Sequence, residues 1–278
     1  AFIFLAAAVQ LGLAWCTRRT SFTVYSLGQF TLPFATVVFQ MLAAPADGQS
    51  IAIYIADSHA VLATGEATWK INDIIPVARM ILAPSFLFVA ENSRFKTWAD
   101  FEKEAKAKPK TLKVATLGFG SVDDITLTYL EGKGIKVIQV PYSKPSERYV
   151  SVLGGHVDAL YEQAGDVQQY LTGKQIRPII MFGLTRFESF KDVPCSKELG
   201  YDIGLPQFRS IVVKAGTAPA KVKVLSDAFG KAAASPEYKA FLKEQFSTED
   251  SHMDADATAK FIKAELETMK ATWAQKPK

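Results

Sequence analysis

Short apolar runs alternate with amphipathic stretches along most of the chain, and this alternation predicts an α/β fold. Residues 51–55, 75–80 and 85–90 read as buried strands, 21–25 as a short alternating strand, and 34–42 as an apolar helix. Between them Pro45-Ala46-Asp47-Gly48 forms a turn, because proline fixes one φ and glycine supplies a positive one. Thr97 caps a helix that runs to about Ala107, with Asp100 completing a capping box. Strands at 112–115, 135–140, 157–161 and 176–182 then alternate with helices at 121–130, 146–153 and 165–172. Gly154-Gly155 and Gly173 stop two of these helices. A strand at 208–214 leads to three amphipathic helices at 218–234, 237–244 and 256–273. The βα set within 97–206 is large enough to stand as a domain. The expected division is therefore 20–96 with 209–278 as domain 1 and 97–208 as domain 2, with 1–19 as a separate segment.

The pattern is most informative at Lys110 to Leu130. A short strand ends in Leu117-Gly118-Phe119-Gly120, and Ser121 follows as a natural N-cap. Asp123 and Asp124 fall in the first helical turn, where carboxylates complement the helix dipole. Strand, glycine turn and capped helix aim backbone N–H groups at one point, which suits a carboxylate or phosphate. The same residues also suit a plain βα turn that binds nothing, and Gly-x-Gly is too short for a dinucleotide or P-loop fingerprint.

Residues 1–15 form an apolar run that stops at Cys16-Thr17-Arg18-Arg19. Its length and small residues suit a signal-peptide core and are too short for a membrane span, but no Lys or Arg precedes it. An export-signal remnant and a first folded segment both remain open. Leu13-Ala14-Trp15-Cys16 resembles a lipoprotein cleavage box, which adds membrane anchoring through the N-terminus as a further alternative.

Composition narrows the classes. At 278 residues, 49% hydrophobic and 22% charged, the chain has the values of a globular protein with room for two domains. A net charge of +4 without a basic stripe gives no nucleic-acid groove. Cys16 and Cys195 make no disulfide framework, and His59, His156 and His252 make no metal pattern, so neither a metal nor a cofactor is expected.

Several short motifs occur in a fixed order. They are Pro45-Ala46-Asp47-Gly48, Ile75-Pro76-Val77-Ala78, Lys96-Thr97-Trp98-Ala99-Asp100 and Gly118-Phe119-Gly120-Ser121. Val140-Pro141-Tyr142, Leu153-Gly154-Gly155-His156-Val157-Asp158 and Gly173-Lys174-Gln175-Ile176-Arg177 follow. Asp192-Val193-Pro194-Cys195, Glu198-Leu199-Gly200-Tyr201 and Ala215-Gly216-Thr217-Ala218-Pro219 complete the series. From about Ser21 to the end it resembles the TctC/Bug family of periplasmic solute-binding proteins.

That resemblance implies a two-lobed, type II-like periplasmic-binding-protein fold. Two mixed or parallel sheets would be flanked by helices, with a ligand cleft between the lobes. It also implies a monomer that captures a small carboxylate and delivers it to membrane transporter subunits, with no catalysis. Carried over residue by residue, Thr116, Gly118, Phe119, Gly120 and Ser121 would hold a ligand carboxylate, and Ser58 and His59 would face it from domain 1. Tyr142 and Gln163 would line the distal end. The chain departs from the family pattern at its start, where no glycine-rich, Asp-containing loop is found and Gly28 stands alone. Either the chain is truncated or altered there, or half of the carboxylate clamp is lost. Weak binding follows as an expectation.

Two other classes are open to the sequence. An enzyme would need Cys195 paired with a histidine, which no spacing supports; Cys195 reads as a packed or half-exposed thiol and His156 as solvated. A sensor subunit docking a membrane receptor would use the same cleft.

Overall fold

The computed structural model describes residues 51–277. The readings at 1–15, 21–25, Gly28, 34–42 and 45–48 lie outside the described residues. In chain order the elements begin β1 (Ile51–Ile55), α1 (Ala56–Thr64), β2 (Ile74–Ala83), β3 (Ser85–Ala90) and α2 (Trp98–Ala107). Next come β4 (Lys113–Thr116), α3 (Val122–Gly132), β5 (Ile138–Pro141), α4 (Pro145–Leu153), β6 (Ala159–Gln163), α5 (Gln168–Thr172) and β7 (Ile176–Phe182). β8 (Gln207–Lys214), α6 (Pro219–Ala233), α7 (Pro236–Glu244) and α8 (Ala255–Trp273) close the chain.

Among the described residues, 51–83 and 208–266 form one compact unit and 84–207 with 267–277 the other. The first unit holds a three-stranded sheet in the order β1-β8-β2, with β1 and β8 antiparallel. Its core packs Val77, Ile211 and Val213 of the sheet against Leu225, Phe229 and Leu242 of α6 and α7. Proline at the first turn of both helices is placed where its missing N–H costs nothing. Arg79 is buried there, donating to the carbonyls of Ser251 (2.9 Å) and Asp250 (2.7 Å), with its guanidinium 4.4 Å above the Phe261 ring.

The second unit holds a mixed five-stranded sheet, β5-β4-β6-β3-β7. β4 is parallel to β5 and β6, whereas β3 is antiparallel to β6 and β7. All six residues of β3 are buried, which fits the unbroken apolar run Phe86–Val89 in an interior strand. The Thr97–Asp100 capping box forms as expected, and Trp98 stacks on Phe101.

Two expectations change. The first domain was expected to extend to residue 96, but β3 pairs with β6 and β7, so it belongs to the second sheet. The end of the chain also groups with the second unit, passing Gly132, where a β carbon would sit 3.7 Å from the Gln275 carbonyl oxygen. The segment Ala56-Asp57-Ser58-His59, expected as a loop, is the first turn of α1. Ile55 precedes that helix without a side-chain cap, so the usual start signal is absent, and Gly65 ends it in the left-handed region. No helix among the described residues is long and apolar enough to cross a membrane.

Candidate functional site

The parallel strands β4, β5 and β6 bring Thr116, Pro141 and Gln163 to one edge of the second sheet, at their carboxyl ends. β3 runs the other way, so its first residue, Ser85, arrives at that edge opposite Gln163. Paired residues in a sheet share a face. Thr116 aligns with Tyr161, one step beyond the Ala115↔Leu160 pair, and Tyr161 shares its face with Gln163 and hence with Ser85. Open α/β sheets place ligands at this edge.

Ser85 and Thr116 are both fully buried, and neither hydroxyl has a hydrogen-bond partner among the described residues. A buried hydroxyl without a partner costs free energy and needs a reason. Ser85 was missed in the sequence, where it is one serine at the start of an apolar strand.

The loop after β4 is held by its own helix. Asp123 Oδ2 accepts from the Leu117 N–H at 2.7 Å and Asp124 Oδ2 from the Gly120 N–H at 2.9 Å. Ser121 caps α3 by accepting from the Asp124 N–H (3.3 Å), and its hydroxyl donates to the Gly118 carbonyl (2.6 Å). Gly118 and Gly120 lie at φ 134° and 74°, values that a side chain strains. The Gly118 and Phe119 N–H groups donate to nothing among the described residues. Phe119 is 70% exposed at the loop tip.

Within the loop the Ser121 hydroxyl gives its proton to the Gly118 carbonyl. Asp123 and Asp124 complement the helix dipole as expected, and they also occupy two amides of the loop.

Tyr142 is half-buried beyond β5, its N–H donating to the Thr116 carbonyl (3.1 Å) and its hydroxyl 2.6 Å from Ser151 Oγ. It lines an open recess of about 340 Å³ with Ser146, Val150 and His156. Gln163 is half-buried, with its N–H donating to Glu162 Oε1 (3.0 Å). Thr116, Gly118, Phe119, Gly120, Ser121, Tyr142 and Gln163 thus share one edge of the second sheet.

Ser58 and His59 sit in the first unit, on α1, both buried. His59 is 0% exposed; its Nδ1 is 2.7 Å from the Tyr54 hydroxyl and its ring stands edge-on to Tyr54 and Phe208. It is built as a core histidine within an aromatic cluster. Cys195 is a buried free thiol and His156 is exposed, as read from the sequence. Among the described residues no three His, Cys, Asp or Glu side chains are grouped to hold a metal ion.

Residues 35–275 match the profile of the family described as tripartite tricarboxylate transporter family receptor, TctC. A relative from Cupriavidus necator, "UPF0065 protein in gbd 5'region", is 28% identical over 227 residues, covering 81% of this chain and 69% of its own. MatC from Rhodopseudomonas palustris, solved with bound malate, superposes with a TM-score of 0.75 at 19% identity, over 86% of this chain and 84% of that one. An R. palustris protein solved with adipate gives a TM-score of 0.82 at 16% identity, over 97% and 92%. At these identities the two structures establish the shared fold alone.

Proposed function

The chain belongs to the tripartite tricarboxylate transporter receptor (TctC) family, and from that premise we propose that it is a periplasmic binding protein for a small carboxylate. It captures its ligand at the carboxyl edge of the second sheet and delivers it to membrane transporter subunits. Malate in MatC and adipate in the second structural relative supply the ligand class.

One observation supports the reading most. The hydroxyls of Ser85 and Thr116 and the amides of Gly118 and Phe119 are four donors without acceptors among the described residues, at one edge of one sheet. A carboxylate is acceptor-only and offers two oxygens with several lone pairs, so it complements such a set. In this reading Gly120 and Ser121 shape the loop, and Tyr142 and Gln163 bound the far end of the ligand. Ser58 and His59 are buried on α1 in the first unit.

A thermal-shift screen over small mono-, di- and tricarboxylates tests this. A ligand at a hundredfold excess over its dissociation constant adds roughly 2.7 kcal/mol of stability. At least one carboxylate is expected to raise the melting temperature in a saturable way. A flat response to every carboxylate, at concentrations up to millimolar, would overturn the reading.

A further inference from the structure

A buried ionic chain lies behind the loop. Arg148 on α4, Asp123 on α3 and Glu162 on β6 are all buried, Glu162 to 3% exposure. Arg148 Nη2 is 2.9 Å from Glu162 Oε2, and its Nη1 is 4.0 Å from Asp123 Oδ2. That same Asp123 oxygen accepts from the Leu117 N–H at 2.7 Å. One guanidinium therefore stands between two carboxylates, and one of them holds the first residue of the loop.

We propose that Arg148 is a positioning residue for the loop at 117–121, acting through Asp123, and that protonation of Glu162 redirects it toward Asp123. Two carboxylates share one cation in a site with little water, where charge attraction is strong. Glu162 faces Arg148 and Tyr149 from α4 and Asp166 from the turn after β6, and Arg148 also faces Asp123 from α3. Burial pushes the Glu162 carboxyl up to about 7, Arg148 works against that rise, and Asp166 adds to it. As pH falls through neutrality Glu162 takes up a proton and no longer balances Arg148. The guanidinium then draws harder on Asp123 Oδ2 and competes with the Leu117 N–H for that oxygen. Gly120 is held by Asp124 instead, outside this chain of contacts.

The bearing on ligand capture rests on the function proposed above, but the test needs no ligand. Amide hydrogen exchange at Leu117 and Gly120 is measured in the full chain between pH 5.5 and 8.5, corrected for intrinsic rates. The Glu162 side-chain carboxyl is followed by carbon NMR in the same samples. Leu117 protection is expected to fall about tenfold from pH 8 to pH 6, as one hydrogen bond to a charged group weakens. Its midpoint should coincide with that of Glu162, while Gly120 does not follow. Glu162→Gln should fix Leu117 at its low-pH level at every pH. Leu117 protection that stays flat while Glu162 titrates, or that moves in step with Gly120, overturns the proposal. So does a Glu162→Gln chain that keeps the wild-type pH response, and if that variant fails to fold the wild-type profile decides alone. A negative result here leaves the carboxylate screen unaffected, so the two readings fail separately.

Discussion

Replacing Arg148 with methionine is expected to destabilise the protein by about 3–5 kcal/mol at pH 8, the cost of removing one partner from a buried ion pair. The loss should be much smaller at pH 5. Methionine keeps most of the side-chain volume, so packing is a minor part of the effect. The pH dependence follows from Glu162. Its carboxyl is raised to about 7, chiefly by burial, so the folded protein holds that proton more tightly than the unfolded chain does. The stability gained is complete below the unfolded value, about 4.3, and is lost as pH climbs through 7. Arg148 is the group that favours the charged form. Without it ionisation costs still more, so the gap between variant and wild type widens with pH. Urea unfolding at pH 5 and pH 8 measures this directly. An equal loss at both pH values would show that Arg148 does not act through Glu162.

Replacing Thr116 with valine is expected to weaken carboxylate binding by about 10- to 100-fold, the worth of roughly 1.5–3 kcal/mol for a hydrogen bond to a charged group. Stability should stay level or rise. The Thr116 hydroxyl is fully buried without a partner among the described residues, so the fold gives up no described hydrogen bond when it becomes a methyl. Ser85→Ala should behave in the same way. Most substitutions of buried residues lower stability, which makes this combination diagnostic. Calorimetric titration with whichever carboxylate gives the largest thermal shift, beside denaturant unfolding of the same variants, reads both quantities. Unchanged affinity with raised stability would mean that these hydroxyls meet no ligand.

Local chemistry made much of the fold legible. Strands 51–55, 85–90 and 176–182 are short apolar runs that coincide with β1, β3 and β7. The Thr97–Asp100 box and the Ser121 cap form from neighbours in sequence, so they were readable as written. Pairing is not local. Nothing in Ser85–Ala90 states that this strand joins β6 and β7, and the expected domain boundary fell at 96 for that reason. α1 was missed because Ile55 supplies no cap.

The site divides in the same way. The glycine turn at 118–120 and the strand ends near Thr116, Tyr142 and Gln163 are legible as local structure, and their contact with a ligand is a proposal. Ser85 is not legible there, since only the antiparallel run of β3 carries it to that edge. Arg148 in Ser-Glu-Arg-Tyr-Val carries no local sign of burial. Its burial shows only once β6 sets Glu162 beside it. The sequence does not reveal that the Ser121 hydroxyl donates to the Gly118 carbonyl.

The central claim is that the loop after β4 holds the ligand carboxylate through the amides of Gly118 and Phe119. Nitrogen–proton NMR of the full chain, titrated with the carboxylate that stabilises it most, tests this directly. Those two amide protons are expected to move downfield, the direction of a new hydrogen bond to an anion, with a saturation curve matching the calorimetric affinity. Saturable binding that leaves the Gly118 and Phe119 amides unmoved while other resonances shift would contradict the account.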